Sequence, residues 1–260
     1  MSPPGYATPW TVRAWLHTLR SCSPTASAPS ACSHAALRTG TTNFVHQFPF
    51  VCTCIGFAVN KQVAGRGREG RVRGWRNGKG EIGVSVSVMC ADAPFRPSQV
   101  VVGVVYAPIL NELFVAVRGQ GATLNGAPIT VSAETDLAKA LLATEVGVTR
   151  DAETVAAIFD RVQRCAASTR SVRATGSCAM NMCSVAMGRL DAFYEVGFGG
   201  PWDVAGASLI VEEAGGVLSN MQAEGAPFDI TTRRVLCGAP ALVPQIAAVV
   251  RESKISPHEP

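Results

Sequence analysis

The chain has 260 residues, is 47% hydrophobic and only 16% charged, and carries a formal net charge of +4. That composition allows a sizeable core in one large domain or two small ones and excludes wholesale disorder. No apolar run reaches the ~18 residues of a membrane span. The nine cysteines form no CxxC pair and no Cys/His cluster, so neither a zinc site nor a disulfide framework is expected.

The charge is local. Residues 65–80, "GRGREGRVRGWRNGKG", carry a net +5 and leave −1 for the rest of the chain. Residues 1–38 are rich in Ser, Pro, Ala and Arg and contain no acid. That composition fits an organelle transit segment or a disordered N-terminus outside the fold. A cytoplasmic location is expected, with a plastid the alternative.

Residues 44–59, "FVHQFPFVCTCIGFAV", are apolar and β-prone, and 63–99 break that pattern with Gly, Arg and Ser. "VVVGVVYAP", "NELFVAVRG" and "ATLNGAPITV" then read as a meander, with turns at Pro108–Asn111, Gly119–Gly121 and Asn125-Gly126. From Ala140 strands and helices alternate. "ALLATEVG" predicts a buried strand. "RDAETVAAIFDRVQRCAA" predicts a helix capped by Asp151, with an apolar stripe at Val155, Ile158, Phe159 and Val162. A short strand, "STRSVRAT", leads to a small-residue helix, "GSCAMNMCSVAMG". "DAFYEVG" is the next strand and "WDVAGASLIVEEAGG" the next helix. A strand, "RRVLCGAP", and a last helix over 239–253 complete the pattern. This alternation predicts an α/β layered domain over 140–253.

Three stretches carry candidate chemistry. Gly40-Thr41-Thr42-Asn43 places glycine and hydroxyls where free amides at a helix start could hold an anion, and an ordinary Thr/Asn cap explains it equally well. In Gly199-Gly200-Pro201-Trp202-Asp203, Pro201 suits a helix entry. Asp203 is then either a first-turn cap or an oxygen ligand for a divalent cation. Gly176-Ser177-Cys178-Ala179 sits at a strand-to-helix junction, and Glu195 follows one strand later. Such junctions bind ligands in α/β folds, although close packing of a small-residue helix would also account for them.

Together, "GTTNFVHQFPFVCTCIGFAVN", "VVVGVVYAPILNELFVAVRGQGATLNG", "GSCAMNMC" and "FYEVGFGGPWDVAGASLIVEEAGGVL" resemble the inositol monophosphatase family of Mg2+-dependent sugar-phosphate phosphatases. The last of these is most similar to plant-type members, which act on inositol 1-phosphate and on L-galactose 1-phosphate, a step of ascorbate biosynthesis. The likeness covers 39–62 and 100 to about 250. It implies alternating helix and sheet layers, a small-molecule sugar or inositol phosphate as partner, and a homodimer. It implies neither membrane nor nucleic-acid binding. It places phosphate at Gly40 and Thr41, with Thr41 also positioning the attacking water. It makes Asp203 a metal ligand, and puts the substrate's hydroxyls against Gly176, Ser177, Cys178 and Glu195.

The chain departs from the pattern in three places. Where the family has Asp-Pro-Ile/Leu-Asp before the glycine, this sequence reads Ala36-Leu37-Arg38-Thr39. Residues 1–38 hold nothing like the family's upstream Asp and "GEE"-type glutamate, so the first layers are expected to be incomplete and the metal site impaired. Residues 63–99 separate 39–62 from 100–139, two pieces of one N-terminal sheet. Joining Gln62 to Val100 would give a continuous family-like hairpin. This Gly/Arg-rich insertion therefore reads as a retained intron, or alternatively as an RNA-binding loop. Two functions follow: an impaired Mg2+-dependent phosphomonoesterase, or a non-catalytic homologue that keeps sugar-phosphate binding or a partner interaction.

Overall fold

Asn125 and Gly126 have φ of 51° and 84°. Two successive positive values define the tight hairpin turn whose twist matches paired strands. The Asn125 side chain closes it, accepting from the Leu113 amide and donating to the Asn111 carbonyl, both at 2.9 Å. The computed structural model describes strands 58–61 and 82–89, and residues 100–259 apart from 108, 148 and 222–227. Residues 1–38, Gly40, Thr41 and most of 44–59 lie outside the described residues.

The first sheet is an antiparallel meander of six strands in chain order. These are β1 (Ala58–Lys61), β2 (Ile82–Met89), β3 (Val100–Ala107), β4 (Glu112–Val117), β5 (Ala122–Leu124) and β6 (Ala127–Pro128). The segment 63–99 supplies β2. In this chain β1 and β3 do not pair with each other; β2 lies between them, Asn60 opposite Gly83 and Val84 opposite Tyr106.

The alternating half follows the sequence reading, with one further short strand, Val217–Ser219, that the sequence did not mark. Its strands are β7 (Leu141–Thr144), β8 (Ser171–Arg173), β9 (Ala192–Val196), β10 (Val217–Ser219) and β11 (Arg234–Gly238). Its helices are α1 (Ala152–Ser168), α2 (Cys178–Ala186), α3 (Pro201–Glu213) and α4 (Leu242–Arg251). The sheet order is β10-β11-β9-β7-β8, with β7 parallel to β8 and β9, and β11 antiparallel to β9 and β10. The fold is α/β, as expected.

Side-chain alternation along these strands divides the interior in two. Ala143, Phe193, Val235 and Cys237 face a core shared with α2, α3 and the first sheet. Leu142, Tyr194 and Leu236 face a second core shared with α4. Helices α2 and α3 are therefore packed between the two sheets, and one continuous core joins Val100 to Cys237.

Helix α3 is buried at every residue from Asp203 to Val211, which requires apolar surface all round. Its backbone touches the first sheet: a Cβ on Gly103 would lie 2.2 Å from the Gly206 carbonyl oxygen. At its C-terminal end the Glu213 carboxylate accepts from the Gly119 and Gly121 amides, both at 2.8 Å, and Glu212 pairs with Arg118 at 3.0 Å.

Helix α1 starts at Asp151, whose carboxylate accepts from the Thr154 amide. Its buried face differs from the apolar stripe expected from the sequence. Thr154, Ala157, Ile158, Arg161 and Cys165 are buried, whereas Phe159 is 54% exposed. The reason is the C-terminal segment, which lies along this helix. Ser256 bonds Thr154 at 2.9 Å, the Lys254 amide donates to Asp160 at 3.0 Å, and Arg161 forms an ion pair with Glu259. Among the described residues no helix is long and apolar enough to cross a membrane.

Candidate active site

Strands β7 and β9 run parallel, so their carboxyl ends open on the same side of the sheet. Glu145 follows β7 directly, and Glu195 is the fourth residue of β9. Two helix starts converge there, the arrangement that makes such edges binding sites. Gly176, at φ 94°, turns the chain into α2, and Ser177 caps that helix by accepting from the Met180 amide. Pro201 opens α3, and an Asp203 carboxylate oxygen accepts from the Gly200 amide at 3.1 Å.

Glu195 is buried, and among the described residues its Oε2 has no partner. Burial, then the neighbouring charges of Glu145 and Asp203, pushes its carboxyl up to about 8, against the pull of a hydrogen bond with the Cys178 thiol. Burial also raises Asp203; the Gly200 and Gly199 amides and the more distant Arg233 charge partly offset it. The Cys178 thiol is itself driven well upward by burial and by the Glu195 and Asp203 charges, so it stays protonated.

Gly176, Ser177, Cys178, Glu195 and Asp203 therefore meet at one edge. Asp203 performs the capping role, and its remaining oxygen leaves it suited to hold a cation as well. It is a buried carboxylate with no ion pair among the described residues. Those residues contain no group of three or more His, Cys, Asp or Glu side chains able to hold a metal. Asp203 thus fits as a single ligand of a larger set.

Two residues that the sequence did not single out shape the edge. Glu145 accepts from the Thr175 amide, the Gly176 amide and the Asn181 side chain. Its only sequence signal is an acid placed immediately after a buried strand. Arg233 donates to the Phe198 and Gly197 carbonyls at 2.6 and 3.1 Å, fixing the loop that leads to Asp203. Nothing in "TRRV" distinguishes it from Arg234.

The raised Glu195 carboxyl makes stability pH-dependent. The folded state holds a proton that the unfolded chain releases above about 4.5, so stability falls as pH rises from there through about 8. Melting temperatures across that window should decline in the wild type, and the decline should flatten in Glu195→Gln. An identical slope in the two proteins would contradict this.

Comparisons with known proteins identify the family. The model of the inositol monophosphatase family matches residues 78–254. Inositol monophosphatase 2 of Solanum lycopersicum is 47% identical over 196 residues, covering 75% of this chain and 59% of the relative. Inositol monophosphatase 1 of Homo sapiens is 39% identical over 198 residues, covering 76% and 57%. Among solved structures, the extragenic suppressor protein suhB from Bartonella henselae aligns with a TM-score of 0.58 at 27% identity, covering 66% of this chain and 62% of that one. An IMPase from Thermotoga maritima aligns at 0.56 and 29%, covering 66% and 61%. The chain belongs to the inositol monophosphatase family. It spans about three-fifths of the length of the curated relatives it matches.

Proposed function

We propose that this protein is a phosphomonoesterase-type polyol-phosphate binder whose substrate class is inositol 1-phosphate or L-galactose 1-phosphate. The observation that carries this is Glu195: a buried carboxyl with a free oxygen, facing the start of α2 and set beside Asp203. Its buried carboxyl offers oxygen atoms to adjacent hydroxyls of a polyol. Ser177, at the start of α2, orients the same ring, and the α2 and α3 N-termini favour the anionic end of the ligand. The reaction is attack of water on phosphorus with release of the alcohol and inorganic phosphate. Mg2+, held with Asp203 as one ligand, supplies charge neutralisation and a more acidic water. Gly40 and Thr41 are proposed to face the phosphate, Thr41 orienting that water.

We further propose that hydrolysis by this chain is impaired. Spontaneous phosphate-monoester hydrolysis needs acceleration by up to ~10²¹-fold. The sequence has Ala36-Leu37-Arg38-Thr39 where the family pattern supplies carboxylates. The same departure favours, as the second reading, a homologue that binds sugar phosphate without turning it over.

Purified full chain with inositol 1-phosphate and millimolar Mg2+ separates the readings. Binding with little phosphate release is expected, and binding should be lost in Glu195→Ala. Turnover matching a full-length relative, abolished by Asp203→Ala, would overturn the impairment; no binding at all would overturn the polyol pocket. L-galactose 1-phosphate in the same assay ranks the two substrates.

A further inference from the structure

We infer that Glu145 is a positioning residue, setting the turn that presents Gly176, Ser177 and Cys178 to the ligand. The inference rests on the polyol-phosphate reading of this edge. One oxygen, Oε1, accepts three hydrogen bonds: from the Thr175 amide at 2.9 Å, the Gly176 amide at 2.5 Å and Asn181 Nδ2 at 2.7 Å. Asn181 is itself oriented, because its Oδ1 accepts from the Thr175 hydroxyl at 2.5 Å. Two residues of the turn and one of α2 thus close on one carboxylate oxygen.

The turn needs that brace. Gly176 takes a positive φ of 94° and is followed at once by the Ser177 cap and Cys178, the first residue of α2. Neither the Thr175 nor the Gly176 amide belongs to a strand or helix ladder, so the accepting side-chain oxygen of Glu145 is what fixes them. Since β7 runs parallel to β9, the residue after β7 sits level with Glu195. Glu145 also contributes to the electrostatic environment of Glu195. It therefore acts on both the Gly176 turn and Glu195 while its hydrogen bonds go to protein groups.

The test measures amide hydrogen exchange at Thr175 and Gly176, and inositol 1-phosphate affinity by calorimetry with Mg2+, on the full chain. Glu145→Ala should speed exchange at those two amides by about tenfold and weaken the ligand by about the same factor. Glu145→Gln keeps the accepting oxygen and should stay near the wild type in both readouts; that rescue is not expected of a residue that only adds bulk. Unchanged exchange in Glu145→Ala overturns the inference. So does faster exchange with unaltered affinity, which would make Glu145 a structural brace only. If the wild type itself binds no inositol 1-phosphate, the ligand reading fails first and positioning fails with it, while exchange still reports whether Glu145 holds the turn.

Discussion

Arg161→Met is expected to destabilise the protein by about 3–5 kcal/mol, because it leaves the Glu259 carboxylate buried without its partner. The two side chains are only 4% and 2% exposed, so water cannot take the place of the lost guanidinium. The Lys254 carbonyl loses a donor in the same step. Arg234 lies close enough for Glu259 to act on its charge, which moderates the loss. For a chain of this size the change corresponds to a fall in melting temperature of roughly 6–20 °C. Thermal and urea melts measure it directly. Replacing both partners should recover much of the stability, since a buried pair exchanged for neutral groups is often close to neutral overall. A loss below about 1 kcal/mol, typical of surface pairs, would mean that the C-terminal segment does not dock on α1.

The second large effect is expected at Gly103. An added methyl would lie 2.2 Å from the Gly206 carbonyl oxygen, with the rest of that residue's backbone close behind. Clashes with flexible side chains relax at little cost, but here both surfaces are main chain. Overpacking usually costs about 1–3 kcal/mol, and Gly103→Ala should fall at or above the top of that range. The only relief is movement of α3 away from β3. Because α3 carries Asp203 in its first turn, ligand binding should weaken together with stability. A variant with native stability and native affinity would show that the helix and sheet do not approach this closely.

Much of this architecture was legible because short-range chemistry decides it. Asn125-Gly126 and Gly119–Gly121 set the meander's turns, and Asp151 and Ser177 cap the helices that follow them. The α1 face was not legible. Its period was read correctly, but a partner about a hundred residues away, Glu259, turned Arg161 inward and left Phe159 in solvent. β10 is three residues long and owes its existence to pairing with β11, so no local pattern marks it. The placement of β2 between β1 and β3 likewise depends on pairing rather than composition.

At the candidate site, the glycine and hydroxyl motifs pointed to Gly176 and Ser177 and the family resemblance to Asp203 and Glu195, and the structure places these four at one sheet edge. Glu145 and Arg233 remained hidden because their work is to hold other residues' backbone, a role set by tertiary position. Gly40 and Thr41 lie outside the described residues.

Helix α3 also bears on how quickly this protein matures. The helix is buried at every residue from Asp203 to Val211, so it gains little by forming alone in water. Its partners β3 and β4 precede it by about a hundred residues, and α2 must be in place on its other flank. Contacts of such long sequence separation close late, after the entropy of the intervening loop has been lost. Asp203 therefore reaches its position beside Glu195 only near the end of folding. In refolding experiments, recovery of the proposed inositol 1-phosphate binding should lag behind the return of helical signal.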